Sequence, residues 1–280
     1  MVITLADAVH ETPHALTLSV PSQGASFLAA LGSVAALGRS WSCLIDPPTG
    51  KSRSALTRAF YLSLPAKYIP GGFFQHVDLL ERTTVAASVS RRRVLGATLV
   101  HAGIIVVAAL SLGALTVLAD RDSKVNALLL FGLASPLLLS DSVARWLRRS
   151  INRIGCIPLD MSTPFPTSNQ RIRALLWTSL SLIASGASFA FLLGDNAETP
   201  LVTAVFGFSL AFLVGFVAVP VPAGLGIREI ALAAALPGVS VSTAVLLSTA
   251  HRVIALFAEG TTFFVTFVVN RLAVRRGSMD

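Results

Sequence analysis

Long apolar runs alternate with short charged loops along this chain. Seven runs read as candidate membrane crossings: residues 24–38, 94–119, 125–140, 174–194, 201–221, 230–250 and 253–269. A crossing helix needs about 20 residues, fewer where the bilayer adapts. The first run is short, and the third is short, interrupted by Pro136 and closed by Asp141. The second carries His101 as its one ionisable group, the sixth has Pro237 and Gly238 in its middle, and the last carries Glu259. The pattern predicts an all-α, polytopic integral membrane helical bundle of about seven spans. It forms a single transmembrane domain over residues 1–280.

Two stretches cannot continue as smooth helices. Around residues 63–74, Pro65, Pro70 and the Gly71-Gly72 pair interrupt an apolar segment that also holds Arg58 and Lys67. It reads either as an interfacial helix or as a broken, re-entrant one. Around residues 220–240, Pro220, Pro222, Gly224 and Gly226 precede Arg228 and Glu229. Broken helices present free N–H groups whose dipole ends bind anions, and such breaks in the two halves of a membrane protein point to a substrate site. Ordinary turns between spans are the alternative for each.

Composition sharpens the class. The chain is 54% hydrophobic and 13% charged, with a mean hydropathy of +0.73, whereas soluble domains carry about 25% charged residues. A soluble fold of this size has no core large enough for these runs. The net charge of +8 sits mostly in loops. Residues 39–93 hold nine basic and three acidic residues, residues 145–173 hold six and one, and the tail from Arg271 holds three Arg. Residues 195–198 hold two acids and no base. The positive-inside rule then places the C-terminus in the cytoplasm and the N-terminus outside. Residues 1–21 lack the basic start of a signal peptide and contain Asp7 and Glu11. Cys43 and Cys156 lack metal-ligand spacing, and no phosphate-binding or dinucleotide loop occurs, so neither cofactor nor metal is expected. The charge distribution reports topology and predicts no nucleic-acid partner.

Four ionisable groups carry the candidate chemistry of the second half. Glu229 suits a helix N-terminus through the dipole, whereas Arg228 is unfavourable there unless it is paired or touches a phosphate. A lipid phosphate fits a bidentate guanidinium, and a plain topology anchor is the alternative. Arg252 and Glu259 are seven residues apart and share a helix face. Glu259, placed within the membrane, is expected to pair with Arg252, His251 or Arg228, or to stay protonated. His101 reads as a hydrogen bond to a neighbouring helix. The basic runs Arg91–Arg93 and Arg145–Arg149 read as contacts with anionic headgroups.

The run PVPAGLGIREIALAAALPGVSVSTAVLLSTAHRV, residues 220–253, resembles the lysylphosphatidylglycerol synthase transmembrane-region family of flippase-like membrane proteins. The shared features are a Pro-x-Pro-x-Gly-x-Gly-x-Arg-Glu run and a later Arg. SLPAKYIPGGFFQHVDLLER, residues 63–82, is similar to the family's Lys/Arg-Tyr-Ile-Pro-Gly run, and LGRSW, residues 37–41, to its Arg-Trp after an early span. The resemblance covers roughly residues 35–270. It marks Pro222, Gly224, Gly226, Arg228, Glu229 and Arg252 in the second half, and Lys67, Tyr68, Pro70, Gly71 and Arg82 in the first. The early helix of the family pattern is missing, which suggests a chain shortened at its N-terminus. The soluble domain that transfers an aminoacyl group is also missing.

The resemblance implies a multi-pass protein of a bacterial or archaeal cell membrane. Its expected function is a translocator of an anionic phospholipid or polyprenyl-linked lipid, with those residues and Glu259 forming the substrate site. The alternative is a non-catalytic membrane partner of a glycosyl- or lipid-modifying transferase. An integral membrane transferase, with Glu229 or Glu259 as base, ranks below both because acids are few.

Overall fold

The structure is a computed structural model that describes residues 20–46, 53–69, 74–115, 140–142, 165–194, 199–217, 226–236 and 238–277. Among these residues the regular elements are all helices. They are α1 (Val20–Cys43), α2 (Arg53–Ser63), a 3₁₀ turn η1 (Leu64–Tyr68), α3 (Phe74–Ala87), α4 (Arg91–Ala114), α5 (Ser168–Leu193), α6 (Leu201–Val217), α7 (Ile227–Ala235) and α8 (Val241–Gly277). Four are long and apolar enough to cross a membrane: α1, α4, α5 and the Val241–Leu272 part of α8. The protein is a multi-pass integral membrane helical bundle.

The expectation of about seven spans is thereby corrected to four among the described residues. Residues 125–140 lie almost wholly outside the described residues. The apolar helix α6 has only 17 residues. Residues 230–250 are not one helix. The chain leaves α7 at Leu236, which is extended at φ −119 and ψ 105, and turns at Gly238, whose φ of 78 favours glycine. Helix α8 starts at Val241 and runs unbroken for 37 residues, so residues 253–269 are its interior. A charge at Arg252 reads as a span boundary in the sequence, but an ion pair neutralises it and the helix passes through.

Over residues 63–69 of the 63–74 stretch, the chain is not a smooth α-helix. Helix α2 tightens into η1, with Pro65 in its first turn where a missing N–H costs nothing, and Ile69 is extended. Pro70, Gly71 and Gly72 lie outside the described residues. Helices α2 and α3, of 11 and 14 residues, are too short to cross and pack against each other. Tyr61 of α2 lies over Gly38 of α1 and donates to the Ala35 carbonyl at 3.1 Å, which ties α2 to α1.

The chain divides into two compact units, and the division falls within each of the four long helices. One unit, which includes residues 179–258, has its core around Phe189, Phe208, Leu232 and Leu247. Here Ser26 of α1 donates to the Ser188 carbonyl of α5 at 2.8 Å, and Ser33 meets Ser181 at 3.0 Å. Gly186 of α5 lies directly against the Val205 backbone of α6, with no room for a Cβ. The other unit, which includes residues 34–105, has its core around Trp41, Leu56, Phe60 and Ile104. Ser40 there donates to the Ala174 carbonyl at 3.0 Å and meets Thr178 at 2.7 Å and His101 Nε2 at 3.1 Å. One hydroxyl has one proton, so Thr178 and His101 Nε2–H both donate to Ser40. His101 thus makes the inter-helix hydrogen bond expected of it. Small and hydroxyl side chains let membrane helices approach and bond where water is absent.

Gly186→Ala is predicted to lower the thermal midpoint in detergent, because the added methyl meets α6 backbone. Overpacking typically costs about 1–3 kcal/mol. Gly103→Ala, mid-helix and open, is the control that leaves the midpoint equal or higher. Scanning fluorimetry of the pair checks this.

Candidate functional site

The Arg228-Glu229 stretch builds its site from a glycine. Gly226 has φ 84, a conformation that L side chains rarely adopt, and it lets the chain enter α7 sharply. Glu229, in the first turn of α7, folds back and accepts the Gly226 N–H at 2.7 Å. Glycine has no side chain to return the bond, so only this half of a capping box forms. The other carboxylate oxygen accepts Ser248 Oγ at 2.9 Å and Arg252 Nη2 at 2.7 Å, both from α8. Glu229 is therefore buried and met by three donors. The sequence reading of Glu229 as an N-terminal carboxylate holds, and its partner is Arg252.

Arg228 is different. Its Nε and Nη2 are buried and have no hydrogen-bond partner among the described residues. The guanidinium lies over the Phe208 ring, 4.6 Å from its centroid, and 5.9 Å from that of Phe212. These rings are one turn apart on α6, which packs against α7. Gly215 gives the Arg228 stem room, since a Cβ there would sit 3.2 Å from Arg228 Cβ. The His251 ring meets Phe208 edge-on at 4.8 Å. Arg228 and Arg252 thus share one carboxylate, which is already committed to Arg252. Cation–π contact is worth up to about 2 kcal/mol when desolvated. Each buried donor left without a partner costs about 1–3 kcal/mol. The rings alone do not compensate for two of them.

A separate constellation forms in the other unit. Lys67 of η1 donates to one oxygen of Glu259, and Tyr68 Oη donates to the other at 2.9 Å. The Lys67 ammonium also lies 5.2 Å from the Tyr68 ring centroid. Burial, followed by the Glu259 charge beside it, holds the Tyr68 phenol above its ordinary range. This corrects the partners expected for Glu259: the carboxylate is met by Lys67 and Tyr68, while Arg252 turns to Glu229.

Of the other expected site residues, Arg82 joins neither constellation. It pairs with Asp78 one turn back on α3 at 2.6 Å. Pro70, Gly71, Pro222 and Gly224 lie outside the described residues. Asp141 pairs with the buried Arg171. Among the described residues no three His, Cys, Asp or Glu side chains come together in a form that could hold a metal ion. Sequence reasoning missed Ser248, Phe208 and Phe212. Ser248 lies one turn before Arg252, and the two phenylalanines are also four residues apart. A search of each apolar helix for polar or aromatic i, i+4 partners would have found them. No family model and no curated protein matches the chain.

Arg252→Ala is predicted to cost about 3–5 kcal/mol, because it leaves Glu229 buried without its cation. Arg228→Leu, by contrast, raises the midpoint of detergent-washed protein, because it removes unpartnered donors. Denaturation midpoints of the two variants measure both. For Tyr68 the raised phenol pKa stabilises the fold fully below the ordinary tyrosine pKa and is lost as pH rises through the folded value. The 295 nm absorbance difference between wild type and Tyr68→Phe is therefore predicted to titrate above about pH 10, the ordinary tyrosine range. The chain has only 2 Tyr, so the difference isolates this one.

Proposed function

We propose that the protein is a flippase-like membrane translocator of an anionic phospholipid or lipid-linked substrate. The observation that carries this reading is the unpartnered guanidinium of Arg228. A buried polar group without a partner calls for one, and in a membrane such a residue marks a substrate path by default. The local charge is positive by one, since Glu229 neutralises Arg252. Arg228 also stands in the first turn of α7, where the helix dipole favours an anion. A phosphate oxygen accepts the orphaned N–H groups, and the Phe208 and Phe212 rings give the substrate an apolar approach.

The breaks on either side of α7 suit a moving element, because short helices between irregular joints rock more easily than a continuous span. No nucleotide-binding loop occurs in the sequence, so the drive comes from an ion gradient, a partner or the lipid gradient. The resemblance to the lysylphosphatidylglycerol synthase transmembrane-region family supports the same reading, and the proposal places the protein in a bacterial or archaeal cell membrane with its C-terminus in the cytoplasm. A transferase that uses Glu229 as base is less well supported, because both its oxygens already accept hydrogen bonds.

Mass spectrometry of lipids retained by gently purified wild type and Arg228→Leu tests the reading. One anionic or polyprenyl lipid enriched in wild type alone is the expected result, and that lipid then moves between leaflets in reconstituted vesicles. The same bulk-like lipid in both folded samples would contradict it and favour a non-catalytic partner of a transferase.

A further inference from the structure

A second polar site lies in the unit that contains α2 and α3, and it does not involve Arg228. The two helices and the end of α8 enclose a cleft of about 880 Å³. Small side chains make the space: Ala55 and Ala59 on α2 face Ala86 on α3. Leu62 and Val85 line the same cleft, and Val85 is 76% exposed. Four charged side chains, Arg58, Asp78, Glu81 and Arg82, and the polar Asn270 of α8 complete the lining.

Three of these four are already balanced. Asp78 pairs with Arg82 at 2.6 Å, and Glu81 pairs with Arg91 at 2.9 Å. Arg58 forms no hydrogen bond or ion pair among the described residues. The acids therefore do not make this a cation site. One guanidinium without a carboxylate partner among the described residues faces a cleft lined by five apolar side chains, by the Asp78–Arg82 pair, and by Glu81 and Asn270.

We propose that this cleft binds a monoanionic phospholipid, with its phosphodiester on Arg58 and its glycerol and upper chains on Leu62 and Val85. Charge selects the occupant: one free positive charge matches one phosphodiester, and Arg presents two parallel N–H groups to it. The volume lies within the usual range for ligand pockets, about 300–1,000 Å³, well beyond what a bare phosphate fills. Apolar walls open beside a charge suit an amphiphile, and the neighbouring Arg91–Arg93 run raises the local concentration of anionic lipid.

The test is a native mass spectrometry titration of the full chain with dioctanoyl phosphatidylglycerol, dioctanoyl phosphatidylcholine and inorganic phosphate as probes. Arg58→Ala is expected to weaken phosphatidylglycerol binding about tenfold, the equivalent of one charge-assisted hydrogen bond. Arg58→Lys is expected to lose about threefold, since it keeps the charge without the fork. Val85→Trp fills the cleft from an exposed position and is expected to weaken binding at least as much as Arg58→Ala. It keeps the test intact if Arg58→Ala does not fold. Arg58→Ala is expected to cause the same loss in an Arg228→Leu background as in wild type, which separates the cleft from the translocator reading. Unchanged phosphatidylglycerol binding in Val85→Trp, or in folded Arg58→Ala, overturns the proposal. Equal binding of phosphatidylcholine overturns it as well. Competition by inorganic phosphate at matching concentration makes the site one for a soluble anion and overturns the lipid.

Discussion

The carboxylate of Glu229 joins two helices of one unit. It closes the start of α7 through the Gly226 N–H, and it binds Ser248 and Arg252 of α8. Without water, each polar group in a membrane protein must find its partner in the protein. That constraint explains why α8 passes through Arg252 as one helix. It also accounts for the serines of α1. Ser26, Ser33 and Ser40 recur at a step of seven, and each finds an oxygen partner on α5. Arg171 obeys the same rule. It is 3% exposed, and it donates to Asp141, to the Pro166 carbonyl at 2.5 Å and to Ser168 at 3.1 Å.

Arg228 departs from that rule. The chain places a second guanidinium beside Arg252, supplies one carboxylate and commits it to Arg252. What remains for Arg228 is two aromatic faces. Places where a sequence breaks its own local logic are where function concentrates, since stability is given up there for binding. Glu259 shows the contrast. It is buried within an apolar helix, yet both of its oxygens are taken by Lys67 and Tyr68. In this unit Arg58 has no ion-pair partner among the described residues and lines a cleft beside two short helices.

The membrane class was legible in the sequence because apolar runs of bilayer length have no other home. The breaks at Pro65–Ile69, at Gly226 and at Leu236 to Gly238 were legible because proline and glycine act locally. Span boundaries were less so. Arg252 looked like the end of a crossing, and its neutralising partner lies on another helix, at a distance that no window along the chain can register. The four-residue steps Ser248–Arg252 and Phe208–Phe212 were present in the sequence. Their meaning depended on α6, α7 and α8 meeting, which only the fold supplies. Lys67, Tyr68 and Glu259 were each singled out, but their convergence was not, because the chain separation between them is too large for pattern reading.

The most direct measurement is a solid-state NMR dephasing experiment between lipid ³¹P and the ¹⁵N-labelled arginine side chains of the protein in anionic bilayers, assigned by comparison with Arg228→Leu. The account predicts dephasing at hydrogen-bond range that includes a component lost in Arg228→Leu. Arginine dephasing that is identical in wild type and Arg228→Leu would contradict it, and would leave the buried guanidinium as a structural feature held by its aromatic neighbours.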